Sequence, residues 1–219
     1  MGKKYVVKRL NAGFKGCVYE WVAGNLGRLF GLNIPDVELV NIDDELVEYD
    51  ADLQIELGAG IAFASKYHSS LNEVNYHELT IANKSALQDL FVFDYWIKND
   101  DRNLTENGGN PNLFQDITTK KLVVFDHNLA FDTDFDLTTF KNTHVSSFLM
   151  KGQQDLFEQT LDITSYQSRL NTVYAEFDNV VASLPREWLD EIPDAAGELA
   201  RLRLVLEEFN HDQFWEALV

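Results

Sequence analysis

The chain has a single cysteine, Cys17, among its 219 residues. One thiol cannot build an internal disulfide framework, and such scarcity fits a reducing compartment. Positive charge is scarce as well: 18 Lys and Arg stand against 36 Asp and Glu, a net charge of −18. A surface that negative repels the phosphates of nucleic acids and anionic lipids. Direct nucleic-acid binding and a membrane surface are therefore not expected, and a basic partner or substrate is. No apolar run approaches the ~20 residues of a membrane span, and the opening stretch MGKKYVVKRL lacks a signal-peptide apolar region. Internal repeats and low-complexity tracts are absent too. What is present is 45% hydrophobic and 12% aromatic, a globular composition. It is long enough to bury a sizeable core as one domain or as two lobes. The expected compartment is the cytoplasm.

Residues 5–10 (YVVKRL) are rich in β-branched and aromatic side chains and read as a strand that ends at Asn11-Ala12-Gly13. Residues 16–30 read as a helix whose Ala23, Gly24 and Gly27 leave one side open to close packing. Three alternating runs follow at 37–42, 45–49 and 53–57, read as antiparallel strands joined by Asp-rich turns. This predicts a small antiparallel sheet with one helix over residues 1–66. Gly58-Ala59-Gly60 then reads as a crossing point between lobes, and His68 and His77 as surface residues. Ser85-x-x-Gln88 resembles a capping box opening a buried helix to about Lys98. Asp94 lies inside that apolar run and is expected to order the loop beyond it. Further on, Asp162 caps a long amphipathic helix that Leu184-Pro185 breaks. Short and long helices are expected at 186–192 and 197–219. The expected class is α+β, a two-lobed protein-kinase-like fold with a mostly helical lobe over 67–219.

The stretch 91–131 carries the chemistry. Phosphoryl transfer from ATP needs a carboxylate near the acceptor hydroxyl, then an Asn and an Asp to hold Mg²⁺ against the phosphates. Asp101, Asn112 and Asp126 supply that set in order, each at the end of an element where a side chain can reach a cleft. Asp101 would orient the hydroxyl and accept its proton. Arg102 beside it would neutralise the γ-phosphate or brace the loop. Asn110 competes with Asn112 for the metal. Lys8 and Glu20 match the pairing in which a helix glutamate orients a phosphate-binding lysine. Taken singly, these pieces are ordinary turns and solvated charges, since Asn and Asp favour turns. Their order and placement together point to a kinase core. The acids at Asp132, Asp134 and Asp136 alternate like a calcium loop, but Leu137 stands where Gly is required and Thr143 where Glu is. No Ser or Cys lies in a nucleophile elbow.

These residues resemble the HipA-like kinase family. The likeness rests on Asp94-x-Trp96-x-x-Asn99-x-Asp101-Arg102, Asn110-Pro111-Asn112-Leu113 and Phe125-Asp126-His127-Asn128-Leu129-Ala130-Phe131. The run Gly60-Ile61-Ala62-Phe63-Ala64-Ser65 and the tail Leu184-Pro185-Arg186-Glu187-Trp188-Leu189 add support. The resemblance implies a bacterial serine/threonine kinase with ATP, Mg²⁺ and a protein substrate. Some members are toxins restrained by a DNA-binding antitoxin. The family sets a Gly-rich phosphate loop before the lysine strand, and only seven residues precede Lys8 here. The expectation is that an upstream segment or a partner supplies that loop, or that activity is crippled. The alternatives to an active kinase are a pseudokinase acting as a binding module in a toxin–antitoxin or defence assembly, and a small-molecule or lipid kinase.

Overall fold

A computed structural model describes residues 2–151 and 161–218. Helices hold about half of the chain, and the strands form three small antiparallel sheets. The first sheet has β1 (Tyr5–Lys8) and β2 (Val37–Ile42) on either side of β3 (Gly60–Lys66). Lys8 pairs with Phe63, and Ile42 with Gly60. Helix α1 (Gly13–Phe30) runs between β1 and β2 and ends at Gly31, whose φ of 102° suits the left-handed cap.

The open side of α1 is used as its small residues suggest. A Cβ on Gly27 would lie 2.5 Å from Ile34 and 3.1 Å from the Phe93 ring. Only glycine lets α1 approach α5 (Lys84–Trp96) this closely. That helix starts one residue before Ser85, with Asn83 as its N-cap accepting the Ala86 N–H at 3.1 Å, so the expected Ser85 capping box does not form. A true capping box lies at Asn75 and Glu78, opening α4 (Tyr76–Ile81). Every residue from 90 to 99 is buried, the mark of a helix covered on all sides.

Two expected strands are helices. Residues 45–49 and 53–57 fall on α2 (Asp44–Val47) and α3 (Ala51–Glu56). Asp50 accepts the N–H groups of Asp52 and Leu53, which closes a helical turn. The apolar residues in these runs do not share a buried face: Leu46, Tyr49 and Ile55 are exposed and only Val47 is buried. The sheet's central strand lies instead in the supposed crossing point. Ala62, Phe63 and Ala64 are all buried, so β3 shows continuous burial rather than alternation.

The second sheet joins β4 (Leu71–Glu73), β7 (Leu113–Asp116) and β8 (Leu122–Val124), with β7 central. A hairpin of β5 (Asn103–Thr105) and β6 (Gly108–Asn110) stands apart. From residue 137 every element among the described residues is helical: α6 (Leu137–Thr143), α7 (Phe148–Lys151), α8 (Ile163–Tyr174), α9 (Phe177–Ala182), α10 (Arg186–Asp190), α11 (Ala195–Glu207) and α12 (Asp212–Glu216). Asp162 caps α8 as expected, accepting the Ser165 N–H at 3.0 Å. The helix expected to reach Leu184 turns at Ala175-Glu176, yet Tyr166, Leu170, Val173, Phe177 and Val180 keep one buried stripe. A single apolar cluster runs from Cys17 through α5 to Leu218. No helix among the described residues is long and apolar enough to cross a membrane.

Candidate active site

Lys8 is the last residue of β1, and the pleat aims its side chain at the cleft beneath the first sheet. Its Nζ lies 2.6 Å from Glu20 Oε1 and 2.6 Å from Asp126 Oδ1. Glu20, on α1, is buried and accepts the His127 backbone N–H on Oε2 at 3.1 Å. Burial alone would push the Glu20 carboxyl upward; the His127 side chain and the Lys8 charge outweigh it and hold the group at about 2. Burial likewise lowers the Lys8 ammonium, and the charges of Glu20 and Asp126 more than reverse that, for a net rise. Lys8 and Glu20 are both ionised at neutral pH.

Asp126 and Asn112 each have a positive φ, 58° and 41°. Asn and Asp tolerate the left-handed region better than other side chains. In both cases the turn follows or precedes a strand of the second sheet, so the side chain leaves the ladder and enters the cleft. Asp101 sits in the turn after α5. Its Oδ2 accepts from Asn110 Nδ2 at 2.9 Å and Asn112 Nδ2 at 3.0 Å. The hairpin makes this double contact by pairing Asn103 with Asn110 and folding residue 110 back over the turn. The two Asn candidates therefore converge on one carboxylate. Asn112 lines the cleft beside Asp126, whereas Asn110 is exposed at its rim.

Beneath these residues lies a buried network. Arg102 donates from Nε to Asp94 Oδ2 at 2.8 Å, from Nη1 to the carbonyls of Asn112 (2.5 Å) and Phe125 (2.8 Å), and from Nη2 to Asp126 O at 3.3 Å. It is fully buried. Of the two roles the sequence left open for Arg102, its contacts are those of the brace. It ties the loop carrying Asn112 to the loop carrying Asp126. Asp94 also accepts from Asn99 Nδ2 at 2.9 Å and meets His144 Nε2 at 3.0 Å. So Asp94 does order the loop, mainly through side-chain donors. His144 Nδ1 accepts the Ser146 N–H at 3.1 Å, which leaves the ring proton on Nε2 facing Asp94. Burial lowers the His144 pKa despite Asp94, and keeps the ring neutral. Asp94, for its part, is raised by burial but held at about 2 by Arg102 and His144.

Two cavities adjoin this frame. The first, about 420 Å³, has Lys8, Glu20, Asn112 and Asp126 on its polar side and Ile34, Val37, Phe63 and Phe114 among its apolar walls. That volume and lining suit a small ligand with one flat apolar part and one charged part. The second, about 350 Å³, is lined by Asp100, Asp101, Asn128, Phe131 and Arg201 among others. Burial raises the Asp100 carboxyl, and the Asp132 and Asp101 charges add to that. The structure thus places Lys8, Glu20, Asn112 and Asp126 on one cavity and Asp101 on its neighbour. The Asn112–Asp101 hydrogen bond joins them.

Among the described residues no three His, Cys, Asp or Glu side chains form a metal cluster. Mg²⁺ at phosphate sites takes one or two carboxylates and completes its shell with phosphate and water oxygens. Asp126 and Asn112 fit a cation that arrives with phosphates. Two contributors were not foreseen from sequence. His127 was visible only as part of a turn, and its backbone secures Glu20. His144 carried no local signal, because its partner Asp94 is 50 residues away.

An ion-paired lysine, a carboxylate on a left-handed turn and a second carboxylate clasped by two amides suit a phosphate-handling protein of the kinase class. The chain belongs to the HipA-like kinase family, whose model matches residues 1–218. Phosphotransferase chemistry is that family's activity. No curated protein matches the chain.

Proposed function

We propose that this protein transfers the γ-phosphate of Mg²⁺-bound ATP to a serine or threonine hydroxyl of a protein substrate. One observation carries the reading: Lys8, Glu20, Asp101, Asn112 and Asp126, scattered over the sequence, converge on two adjoining cavities. In this reading residues 1–66 form a small lobe over the helical remainder, and the first cavity takes the nucleotide. Lys8 meets the phosphates, and Glu20 keeps it extended. Asp126 and Asn112 hold the cation, with Asn110 in reserve at the rim. Mg²⁺ held there would offset the negative charge of the phosphates. Asp101 receives the acceptor hydroxyl from the second cavity, orients it and takes its proton late in transfer. Catalysis here is positioning and charge neutralisation.

Lys8 and Asp126, both on the polar side of the nucleotide cavity, are paired at 2.6 Å. For phosphates and cation to enter, that ion pair must open, and its cost weakens binding. The same closed pair favours the second reading, a pseudokinase that works by docking a partner such as an antitoxin. The −18 charge suits a basic substrate or partner and opposes direct nucleic-acid binding. Calorimetry with ATP, with and without Mg²⁺, separates the readings. The kinase reading predicts weak binding that depends on Mg²⁺, together with transfer to protein. Tight metal-free binding, or Mg²⁺·ATP binding with no transfer to any protein acceptor, contradicts it.

A further inference from the structure

Strand β1 ends at Lys8, and the chain leaves the sheet at the next residue. The Arg9 N–H turns to Asn11 Oδ1 at 3.0 Å, and the Asn11 N–H to Glu56 O at 2.7 Å. The place on β3 that the next residues of β1 would have paired with is Ile61. Helix α10, more than 120 residues later, occupies it. Both oxygens of Glu187 accept the Ile61 N–H at 3.2 Å, and the buried Trp188 indole donates to the Ile61 carbonyl at 2.7 Å. One residue of the central strand is thus gripped on both its backbone polar groups.

The same carboxylate holds Arg9. Arg9 Nη2 donates to Glu187 Oε1 at 2.6 Å and Nη1 to Leu57 O at 2.9 Å, and the side chain is buried. Gly60 makes room for this arrangement. A Cβ there would lie 2.3 Å from Glu187 Oε1 and 2.6 Å from Arg9 Nη2, and its φ of +122° is one only glycine adopts readily. Lys8 lines the first cavity, and Arg9, the next residue, is anchored to Glu187 and Leu57, so holding Arg9 restrains the backbone from which Lys8 projects.

We propose that Glu187 is a positioning residue for Lys8. Through Arg9 and Ile61, α10 latches the point where β1 leaves the sheet and so sets the reach of the Lys8 ammonium toward Glu20 and Asp126. The nucleotide part of this inference rests on the proposed function. The strand-positioning part does not, and the test reads the two separately.

The test compares the rate at which an amine-acylating reagent modifies Lys8, relative to the exposed Lys120, in the parent and in Glu187→Gln. Gln is isosteric at a half-buried position, so the fold is expected to persist. The latch predicts several-fold faster Lys8 modification, with Mg²⁺·ATP affinity weakened about tenfold. In a Lys8→Met background the same substitution should leave Mg²⁺·ATP affinity unchanged, which a general loss of structure would not. Arg9→Met, which can donate to neither Leu57 O nor Glu187, should move Lys8 reactivity the same way and serves if Glu187→Gln fails to fold. Unchanged Lys8 reactivity in a folded variant overturns the latch. Faster modification in a protein whose parent binds no Mg²⁺·ATP keeps the latch and removes the nucleotide reading.

Discussion

Asp94 and Asp101 are the same side chain, seven positions apart on one helix and its outgoing turn, and they are set to opposite tasks. Asp94 is fully buried and accepts from Arg102, Asn99 and His144. Asp101 is half-buried, its carboxylate holds among the described residues only the two amides of Asn110 and Asn112, and it opens on a cavity. A buried carboxylate whose oxygens are all engaged is costly to disturb and has nothing left to offer a substrate. One that rests on neutral amides costs little to change and keeps its charge for chemistry. Stability and activity should therefore separate cleanly between the two sites.

The largest effect is expected at Arg102. Arg102→Met leaves Asp94 buried without its cation and frees the carbonyls of Asn112, Phe125 and Asp126. Breaking one side of a buried pair typically costs about 3–5 kcal/mol, and urea unfolding would read it. A loss no larger than that of a surface substitution would erase the contrast.

A smaller effect should appear with pH. The folded His144 pKa lies below its ordinary 6.5. The unfolded ring therefore takes its proton first, and stability falls as pH drops from about 6.5 toward the folded value. Asp94, lowered from 3.8 to about 2, contributes in full above 3.8 and loses that contribution as pH falls toward 2. A shift of that size is worth about 2 kcal/mol. His144→Asn should flatten the limb just below pH 6.5 and keep an Asp94 limb below pH 3.8, reduced by the loss of the His144 contact. Thermal melts across that range check it, and an unaltered upper limb would remove His144 from the account. The smallest stability effect belongs to Asp101→Asn, expected within about 0.5 kcal/mol of the parent.

The contrast also marks what the sequence could disclose. Asp101, Asn112 and Asp126 could be picked out as a group because they stand in order along the chain and at the ends of elements. Lys8 and Glu20 were legible from a strand and a helix read correctly, and the structure brings all five together. Bracing was one of the two roles open for Arg102, and the choice between them was not legible, since its acceptors are backbone carbonyls whose positions no side chain announces. Strand β3 was missed because Ala62, Phe63 and Ala64 are buried in succession and its glycines look like a hinge. Helices α2 and α3 were misread because acidic and apolar residues alternate there, although Asp50 closes a helical turn. Glu187 lies 178 residues from Arg9, a separation at which local patterning says nothing.

The central claim is that Asp101 acts in phosphoryl transfer, and a labelled-ATP transfer assay on Asp101→Asn beside the parent tests it most directly. The account predicts a folded variant with parental Mg²⁺·ATP affinity and transfer reduced about a hundredfold or more. Asp126→Asn, run alongside, should lose Mg²⁺·ATP affinity as well as rate. Equal transfer by the parent and Asp101→Asn would contradict the account.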